Sequence, residues 1–249
     1  MHNGSGTILE TKSVVKSFGG LMAVSNASLV VEKGAMRALI GPNGAGKTTL
    51  LNLITGQLPV TSGQIFFKGA DITRMGPDVI SKKGIARTLQ ITSIFGGLTV
   101  YENIWAAVQS RKRFFNPFVR ASKWRDVREK TDHMLELTGL QDKAHTISSE
   151  LSYGEQRLLE IGIALSTEPE LLLLDEPTAG LSTQESLILV RKIRDMIAGK
   201  TIILVEHDMG VVMDLAEKIT VLYYGVILTE GTPQEIKDNE KVREVYLGA

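Results

Sequence analysis

The sequence of 249 residues contains no cysteine. This absence excludes disulfide bonds, thiolate catalysis and cysteine-ligated zinc sites. Long apolar runs are missing too, because no stretch approaches the ~20 residues that a membrane-spanning helix needs. The longest apolar runs, such as 171–174 and 201–205, have the length of buried strands. We therefore expect any membrane role to depend on a partner chain.

An excess of charge of either sign is also missing. Lysine and arginine number 28 and aspartate and glutamate number 28, so the net charge favours neither nucleic acid nor an anionic surface as a ligand. Residues 1–6 carry neither the basic nor the apolar segment of a secretion signal. We expect residues 1–7 to form a short disordered lead and residues 8–249 to form a single domain.

Short β-branched and aliphatic runs alternate with longer helical patterns, which indicates an α/β architecture with parallel strands. A strand predicted at 36–40 runs into a glycine-rich loop, and a helix predicted at 48–54 is closed by Gly56. Three further strands, expected to be antiparallel, are predicted at 8–15, 28–31 and 63–67. Core strands are predicted at 171–174, 201–205 and 219–222, and a strand of a terminal hairpin at 226–230.

Strand signals vanish between residues 92 and 165. Apolar positions instead recur at helical spacing in 100–110, 124–138 and 155–165. We interpret residues 92–165 as a helical subdomain inserted into a core formed by residues 8–91 and 166–249.

Residues 41–48, with the sequence GPNGAGKT, match the pattern G-x-x-x-x-G-K-[ST] between a predicted strand and a predicted helix. The glycines let the backbone wrap so that its N–H groups point at phosphate oxygens, and the positive end of the following helix adds to the attraction. Lys47 supplies a charge to the β- and γ-phosphates, and Thr48 supplies a hydroxyl to Mg²⁺. The loop therefore predicts a nucleoside triphosphate site.

The apolar strand at 171–174 ends in two carboxylates, Asp175 and Glu176. A carboxylate at the carboxyl end of a buried parallel strand, beside a phosphate loop, can hold Mg²⁺ directly or through water, and Asp175 fits this role. Glu176 can reach an attacking water as its general base or as its positioner. The pair predicts a site for triphosphate hydrolysis.

Residues 151–156, with the sequence LSYGEQ, precede an apolar helical pattern. Ser152 and Glu155 have the spacing of a capping box, in which the two side chains satisfy backbone N–H groups at the start of a helix. A helix capped in this way also presents free N–H groups and a positive dipole to a phosphate. The stretch therefore fits a structural role and a phosphate contact together.

These three motifs occur in the order found in ATP-binding cassette (ABC) ATPases, and the chain resembles that family from about residue 8 to its C-terminus. The resemblance implies a P-loop nucleotide hydrolase of the ABC-cassette type, an α/β fold with a mixed core sheet, N-terminal antiparallel strands and an inserted helical subdomain. It implies that Ser152, Gly154 and Glu155 contact the ATP held by a second subunit.

The same resemblance assigns further residues. Gln90, in RTLQ at 87–90, corresponds to the residue that senses Mg²⁺ and couples to the membrane subunit. His207, in VEHD at 205–208, corresponds to a γ-phosphate contact, and Phe18 corresponds to the aromatic that stacks on adenine. The implied catalytic residues are Lys47, Gln90, Glu176 and His207. The implied ligands of Mg²⁺ are Thr48, Gln90 and Asp175. The implied ATP-binding residues of one subunit are Phe18, Gly41, Pro42, Asn43, Gly44, Ala45, Gly46, Lys47, Thr48, Thr49, Gln90, Asp175 and His207.

Two positions depart from the family pattern. Tyr153 stands where the commonest form has glycine, which can alter the backbone near the γ-phosphate. Ser182, in the loop after the acidic strand, stands where many members have aspartate, which bears on communication between subunits. Neither change removes a group that hydrolysis needs.

Segments 87–90, 111–123, 151–156 and 242–248 resemble the ATPase subunits of bacterial importers for branched-chain and other hydrophobic amino acids. Importers of urea and short-chain amides and the ATPase of lipopolysaccharide export stay open as alternatives. The resemblance implies a second ATP-binding subunit, identical or different, two transmembrane permease subunits and, indirectly, a periplasmic solute-binding protein. It implies a peripheral location on the cytoplasmic face of the inner membrane.

Two rival classes fit the chain poorly. ABC ATPases of DNA repair carry long coiled coils and those of translation carry two cassettes, and the sequence has neither. A small-molecule P-loop kinase needs neither residues 151–156 nor His207.

The basic and aromatic segment 111–120 fits a solvated loop, or contact with anionic lipid headgroups or the membrane subunit. The neutral net charge gives nucleic acid no extended basic face.

Overall fold

The computed structural model describes residues 6–88, 94–110 and 121–247. Its strands are β1 (Thr7–Phe18), β2 (Leu21–Glu32), β3 (Met36–Ile40), β4 (Ser62–Phe67), β5 (Ala70–Asp71), β6 (Ile85–Arg87), β7 (Leu171–Asp175), β8 (Thr201–Val205), β9 (Lys218–Tyr223) and β10 (Val226–Gly231). Its α-helices are α1 (Lys47–Ile54), α2 (Pro77–Lys83), α3 (Val100–Ser110), α4 (Ala121–Thr138), α5 (Tyr153–Ser166), α6 (Thr183–Ile197), α7 (Met209–Leu215), α8 (Pro233–Asp238) and α9 (Glu240–Leu247).

The smaller sheet is antiparallel and has the strand order β2-β1-β4-β5. It confirms the antiparallel strands predicted near the N-terminus. Strand β1 begins within the predicted disordered lead, because Thr7 is already paired with Glu32 of β2. Thr7 therefore belongs to the domain and not to the predicted lead, and residues 1–5 lie outside the described residues.

The larger sheet has the order β10-β9-β3-β8-β7-β6. Strands β9, β3, β8, β7 and β6 are parallel, and β10 pairs with β9 in the antiparallel sense to form the predicted hairpin. Every residue of β7 and of β8 is buried. Because both faces of such a parallel strand are covered, its residues do not alternate between apolar and polar, which explains the unbroken apolar runs in the sequence.

Hydrophobic side chains fill both faces of this parallel sheet. On one face, α1 lies between the two sheets, where Leu50 and Leu51 share a buried cluster with Leu9 of β1 and Leu173 of β7. On the other face, α5 and α6 belong to a second cluster with Leu172 and the helices α3 and α4. The described helices include none that is both long and apolar enough to cross a membrane.

Several predicted elements are confirmed residue for residue, namely β3 at 36–40, α3 at 100–110 and β8 at 201–205. Helix α1 ends as expected, since Gly56 follows its cap with a φ of +70° and a Cβ there would lie 2.5 Å from the carbonyl oxygen of Met75. Helix α6 is not among the predictions, although Ser182 and Glu185 form a capping box at its start. The division at 92–165 stays a prediction.

Truncation of a core side chain of β8 should destabilise the fold. Leu204 is 0% exposed, and Leu204→Ala should lower the free energy of unfolding by roughly 2–5 kcal/mol, because it removes buried methyl groups and leaves a cavity. Leu187→Ala on α6 is the control. Because Leu187 is 57% exposed, this change should alter the free energy of unfolding by less than about 0.5 kcal/mol. Urea denaturation measures both, and equal effects would contradict this account of the core.

Candidate nucleotide-binding site

The glycine-rich loop joins the end of β3 to the start of α1. Gly46 caps α1 in a left-handed conformation with a φ of +101°, and a Cβ there would lie 2.4 Å from the carbonyl oxygen of Ala23. No side chain of the residues that the structure describes caps this helix end, and the first turn of α1 carries no acidic residue. The first N–H groups of α1 are therefore left for an external anion, which the positive end of the helix attracts.

Lys47 is held against its own loop. Its Nζ donates hydrogen bonds to the carbonyl oxygens of Gly41 at 2.7 Å and Pro42 at 3.1 Å. Burial lowers the pKa of Lys47, while the negative charges of Glu176 and Asp175 act in the opposite direction. The lysine therefore brings a partly desolvated positive charge to the loop, close to two carboxylates.

Asp175 ends β7 with its side chain fully buried. Its Oδ2 accepts a hydrogen bond from Arg87 Nη2 at 2.6 Å, whereas its Oδ1 is buried with no hydrogen-bond partner among the described residues. A buried carboxylate oxygen without a partner is costly. Oδ1 is thus available to a cation, which fits the role predicted for Asp175.

Glu176 turns the chain away from β7. It has a φ of +49°, which is uncommon for a residue other than glycine. Its backbone N–H donates to the carbonyl oxygen of Val205 at 2.8 Å, so the turn is anchored to β8. The side chain is half-buried and reaches the cavity above the loop.

A cavity of about 610 Å³ lies over the loop, a size typical of small-molecule sites. It brings together three predicted features: Phe18, the glycine-rich loop and Glu176. The lining residues are Phe18, Leu21, Met22, Ala23, Asn43, Gly44, Ala45, Gly46, Lys47, Thr48, Thr49, Glu176 and Tyr224.

Several other predicted residues lie elsewhere in the described parts of the chain. His207 follows β8 with its side chain 59% exposed, and it does not line the cavity. Ser152, Gly154 and Glu155 lie at the start of α5 and are likewise absent from the lining. Gln90 falls outside the described residues. A single subunit therefore assembles only part of the predicted set.

The capping box predicted at the start of α5 is confirmed. Ser152 Oγ accepts from the backbone N–H of Glu155 at 3.4 Å, and Glu155 Oε2 accepts from the backbone N–H of Ser152 at 3.0 Å. Lys143 Nζ donates to Glu155 Oε1 at 2.6 Å. Ser152 and Tyr153 are exposed and Gly154 is half-buried, at the end of α5 that carries the positive end of the helix dipole.

Both departures from the family pattern have a local explanation. Tyr153 Oη accepts a hydrogen bond from Arg157 Nη2 at 2.7 Å, and its ring lies against Gly180 in the loop after β7, where a Cβ would come within 3.3 Å of the ring. Ser182 provides the N-cap of α6 with Glu185. Tyr153 thus joins the start of α5 to the loop after the acidic strand.

Sequence reasoning missed the roles of Arg87 and Glu206. Arg87 neutralises Asp175 across the β6–β7 pair. Glu206 is completely buried, and it accepts hydrogen bonds from the backbone N–H groups of Thr178 at 3.1 Å and His207 at 3.0 Å. It therefore ties the loop after β7 to the loop after β8. An acidic residue directly after an apolar strand was the only available signal.

Most of the chain is similar in sequence to known proteins. Residues 24–179 match the family model of the ABC transporter, and residues 226–249 match that of the branched-chain amino acid ATP-binding cassette transporter. The high-affinity branched-chain amino acid transport ATP-binding protein BraF of Pseudomonas aeruginosa is 38% identical over 97% of this chain and 98% of its own length. LivG of Escherichia coli, described in the same words, is 36% identical over 97% and 98%.

A solved structure adds to this agreement. The ADP conformation of an ATP-binding cassette of an ABC transporter superposes with a TM-score of 0.84, at 30% identity over 98% of this chain and 99% of that one. The sequence matches and the fold agree with the resemblance drawn from the motifs and with the predicted fold class. The chain therefore belongs to the ABC transporter family, as an ATP-hydrolysing transport subunit.

Proposed function

We propose that this subunit powers the import of branched-chain amino acids through partner membrane subunits. The match of residues 226–249 to the branched-chain amino acid transporter model supports this solute class over urea, amides and lipopolysaccharide. BraF and LivG, which the chain resembles over nearly their whole length, are both named as branched-chain amino acid transport proteins. The solute itself meets the membrane subunits and not this chain.

One observation carries the catalytic part of the proposal. Lys47 and Glu176 line the same cavity, one on the phosphate loop and the other at the end of β7. Lys47 and the first N–H groups of α1 bind the phosphates of ATP, with the adenine lying toward Phe18. Glu176 orients a water against the γ-phosphate and accepts its proton. Preorganised charge at Lys47 stabilises the negative charge of the transition state.

The donor set fits a magnesium ion. Asp175 Oδ1 is a buried acceptor that has no partner in the described parts of the chain, and Thr48 lines the cavity beside Lys47. Among the described residues no group of three or more histidines, aspartates and glutamates could hold a metal. Magnesium commonly takes one or two protein ligands and completes its shell with phosphate oxygens and waters. The ion would neutralise phosphate charge, and Gln90 is the remaining predicted ligand.

The hydrolytic site is completed by a second ATP-binding subunit. Ser152, Gly154 and Glu155 sit at a capped, exposed helix end outside the cavity of their own subunit. An exposed helix N-terminus attracts phosphate, so this end can reach the γ-phosphate of ATP held by the other subunit. His207, exposed after β8, is a further γ-phosphate contact. The interface between the two subunits closes when ATP binds and opens again after the ATP is hydrolysed.

The remaining partners follow from this role. Two permease subunits carry the solute across the membrane, and a periplasmic solute-binding protein delivers it to them. This chain would then sit peripherally on the cytoplasmic face of the inner membrane, held by the permeases. The second ATP-binding subunit is either another copy of this chain or a related one.

The variant Glu176→Gln should stop turnover but not ATP binding. Its kcat should fall by roughly 10²–10⁴-fold, because an amide cannot accept the proton of the attacking water. ATP should then persist at the site, so that size-exclusion chromatography with ATP shows a stable dimer. Glu129→Gln on the exposed face of α4 is the control and should keep wild-type turnover. Normal hydrolysis by Glu176→Gln would remove Glu176 from the mechanism.

Mixed dimers should show that the site is shared between subunits. Lys47→Ala and Ser152→Asp should each abolish turnover when present in both subunits. Ser152→Asp should do so because its carboxylate repels the γ-phosphate, while aspartate still serves as the N-cap of α5. An equimolar mixture should regain about a quarter of wild-type activity, since half of the dimers are mixed and each of those keeps one intact site.

Thr232→Asp at the start of α8 is the matched control for that experiment, because Thr232 and Glu235 form the same kind of capping box. It should leave ATPase activity unchanged. A mixture of the two inactive variants that stays inactive would show that Lys47 and Ser152 act within one subunit.

The solute class is testable in cells. A strain that lacks this chain should lose uptake of labelled leucine and keep uptake of urea. Expression of the wild-type chain should restore leucine uptake, and expression of Lys47→Ala should not, because transport needs ATP hydrolysis. Loss of urea uptake with normal leucine uptake would contradict the proposed solute.

A further inference from the structure

The turn between β9 and β10 carries an aromatic side chain that is mostly exposed to solvent. Tyr224 is 76% exposed, and its φ of +44° is uncommon for a bulky residue. The two-residue hairpin loop accounts for this conformation, since such turns take a positive φ at both residues, but it does not account for the exposed ring. Its one aromatic neighbour in the described residues is Tyr223, in an edge-to-face contact with ring centroids 4.5 Å apart.

This turn is fastened to the phosphate loop. The backbone N–H of Gly225 donates to the carbonyl oxygen of Ala45 at 2.9 Å, and the backbone N–H of Ser25 donates to the carbonyl oxygen of Gly225 at 2.7 Å. A Cβ at Gly225 would lie 2.8 Å from the carbonyl oxygen of Ala23, so the turn approaches β2 too closely for another residue. The backbone beside Tyr224 is thus fixed relative to the phosphate loop.

The side chain of Tyr224 lines the same cavity as that loop. Three further exposed apolar side chains share the lining, namely Phe18, Leu21 and Met22, all from the hairpin of β1 and β2. The phosphates of a nucleotide bind at the loop and at the start of α1. The flat, apolar base of the same nucleotide therefore falls on this exposed apolar part of the lining.

We propose that Tyr224 is a second aromatic contact for the nucleobase, contributed by the β9–β10 turn, while Phe18 is contributed by the β1–β2 hairpin. The inference rests on the proposed ATP-binding function and extends it to a residue that no motif marks. Because aromatic contact with the face of a base reads no hydrogen-bond pattern, Tyr224 raises affinity for every nucleotide and does not select adenine.

The test compares a nucleotide with a ligand that has phosphates but no base. Isothermal titration calorimetry measures the binding of ATP and of inorganic tripolyphosphate to the full chain. Tyr224→Ala should weaken ATP binding by roughly 5- to 150-fold, the range found when an aromatic contact to a base is removed, and should leave tripolyphosphate binding unchanged. Tyr224→Phe should keep ATP affinity within about twofold, because the ring and not the hydroxyl makes the contact.

Val226→Ala is the matched control, since Val226 is exposed on the same hairpin and does not line the cavity. It should bind both ligands as the wild type does. Wild-type ATP affinity in Tyr224→Ala would overturn the inference and leave the proposed function intact. Equal weakening of both ligands would also overturn it, because Tyr224 would then act through the phosphate loop. A wild-type chain that binds neither ligand would overturn the proposed function and this inference together.

Discussion

The nucleotide site depends on the register of three parallel strands. Leu39 of β3 and Asp175 of β7 are both paired with Val205 of β8, so the three strands end within one residue of the same level. The phosphate loop, Glu176 and His207 all leave the sheet at that edge. In open α/β sheets, ligands bind outside the carboxyl ends of the strands, where neighbouring loops meet. A shift of one residue in this pairing would separate Glu176 from the loop.

The charges at this edge are fixed within the protein. Lys47 is held by carbonyl oxygens of its own loop, and Asp175 is held by Arg87. Glu206 is fully buried and holds the backbone after β7 and the backbone after β8 together. Groups that are oriented in this way need little rearrangement when charge develops during hydrolysis. Ser152 and His207 are exposed, and we assign both to the γ-phosphate at the subunit interface.

Local sequence signals predicted much of this structure. The glycine-rich loop, the strands β3 and β8 and the capping box at Ser152 follow from residues close together in the chain, and the structure confirms each of them. The contacts that complete the site join distant residues. Arg87 and Asp175 are 88 positions apart, and the ring of Tyr153 lies on Gly180. Neither periodicity nor motif spacing reports such pairs, because the tertiary fold creates them.

We propose that each ATP is held by two subunits, by the phosphate loop of one and the start of α5 of the other. The most direct measurement is an experimental structure of the chain with magnesium and an ATP analogue that resists hydrolysis. We expect a dimer in which the γ-phosphate contacts Lys47 of one subunit and Ser152 and Gly154 of the other. A nucleotide bound with both Ser152 residues far from any γ-phosphate would contradict it.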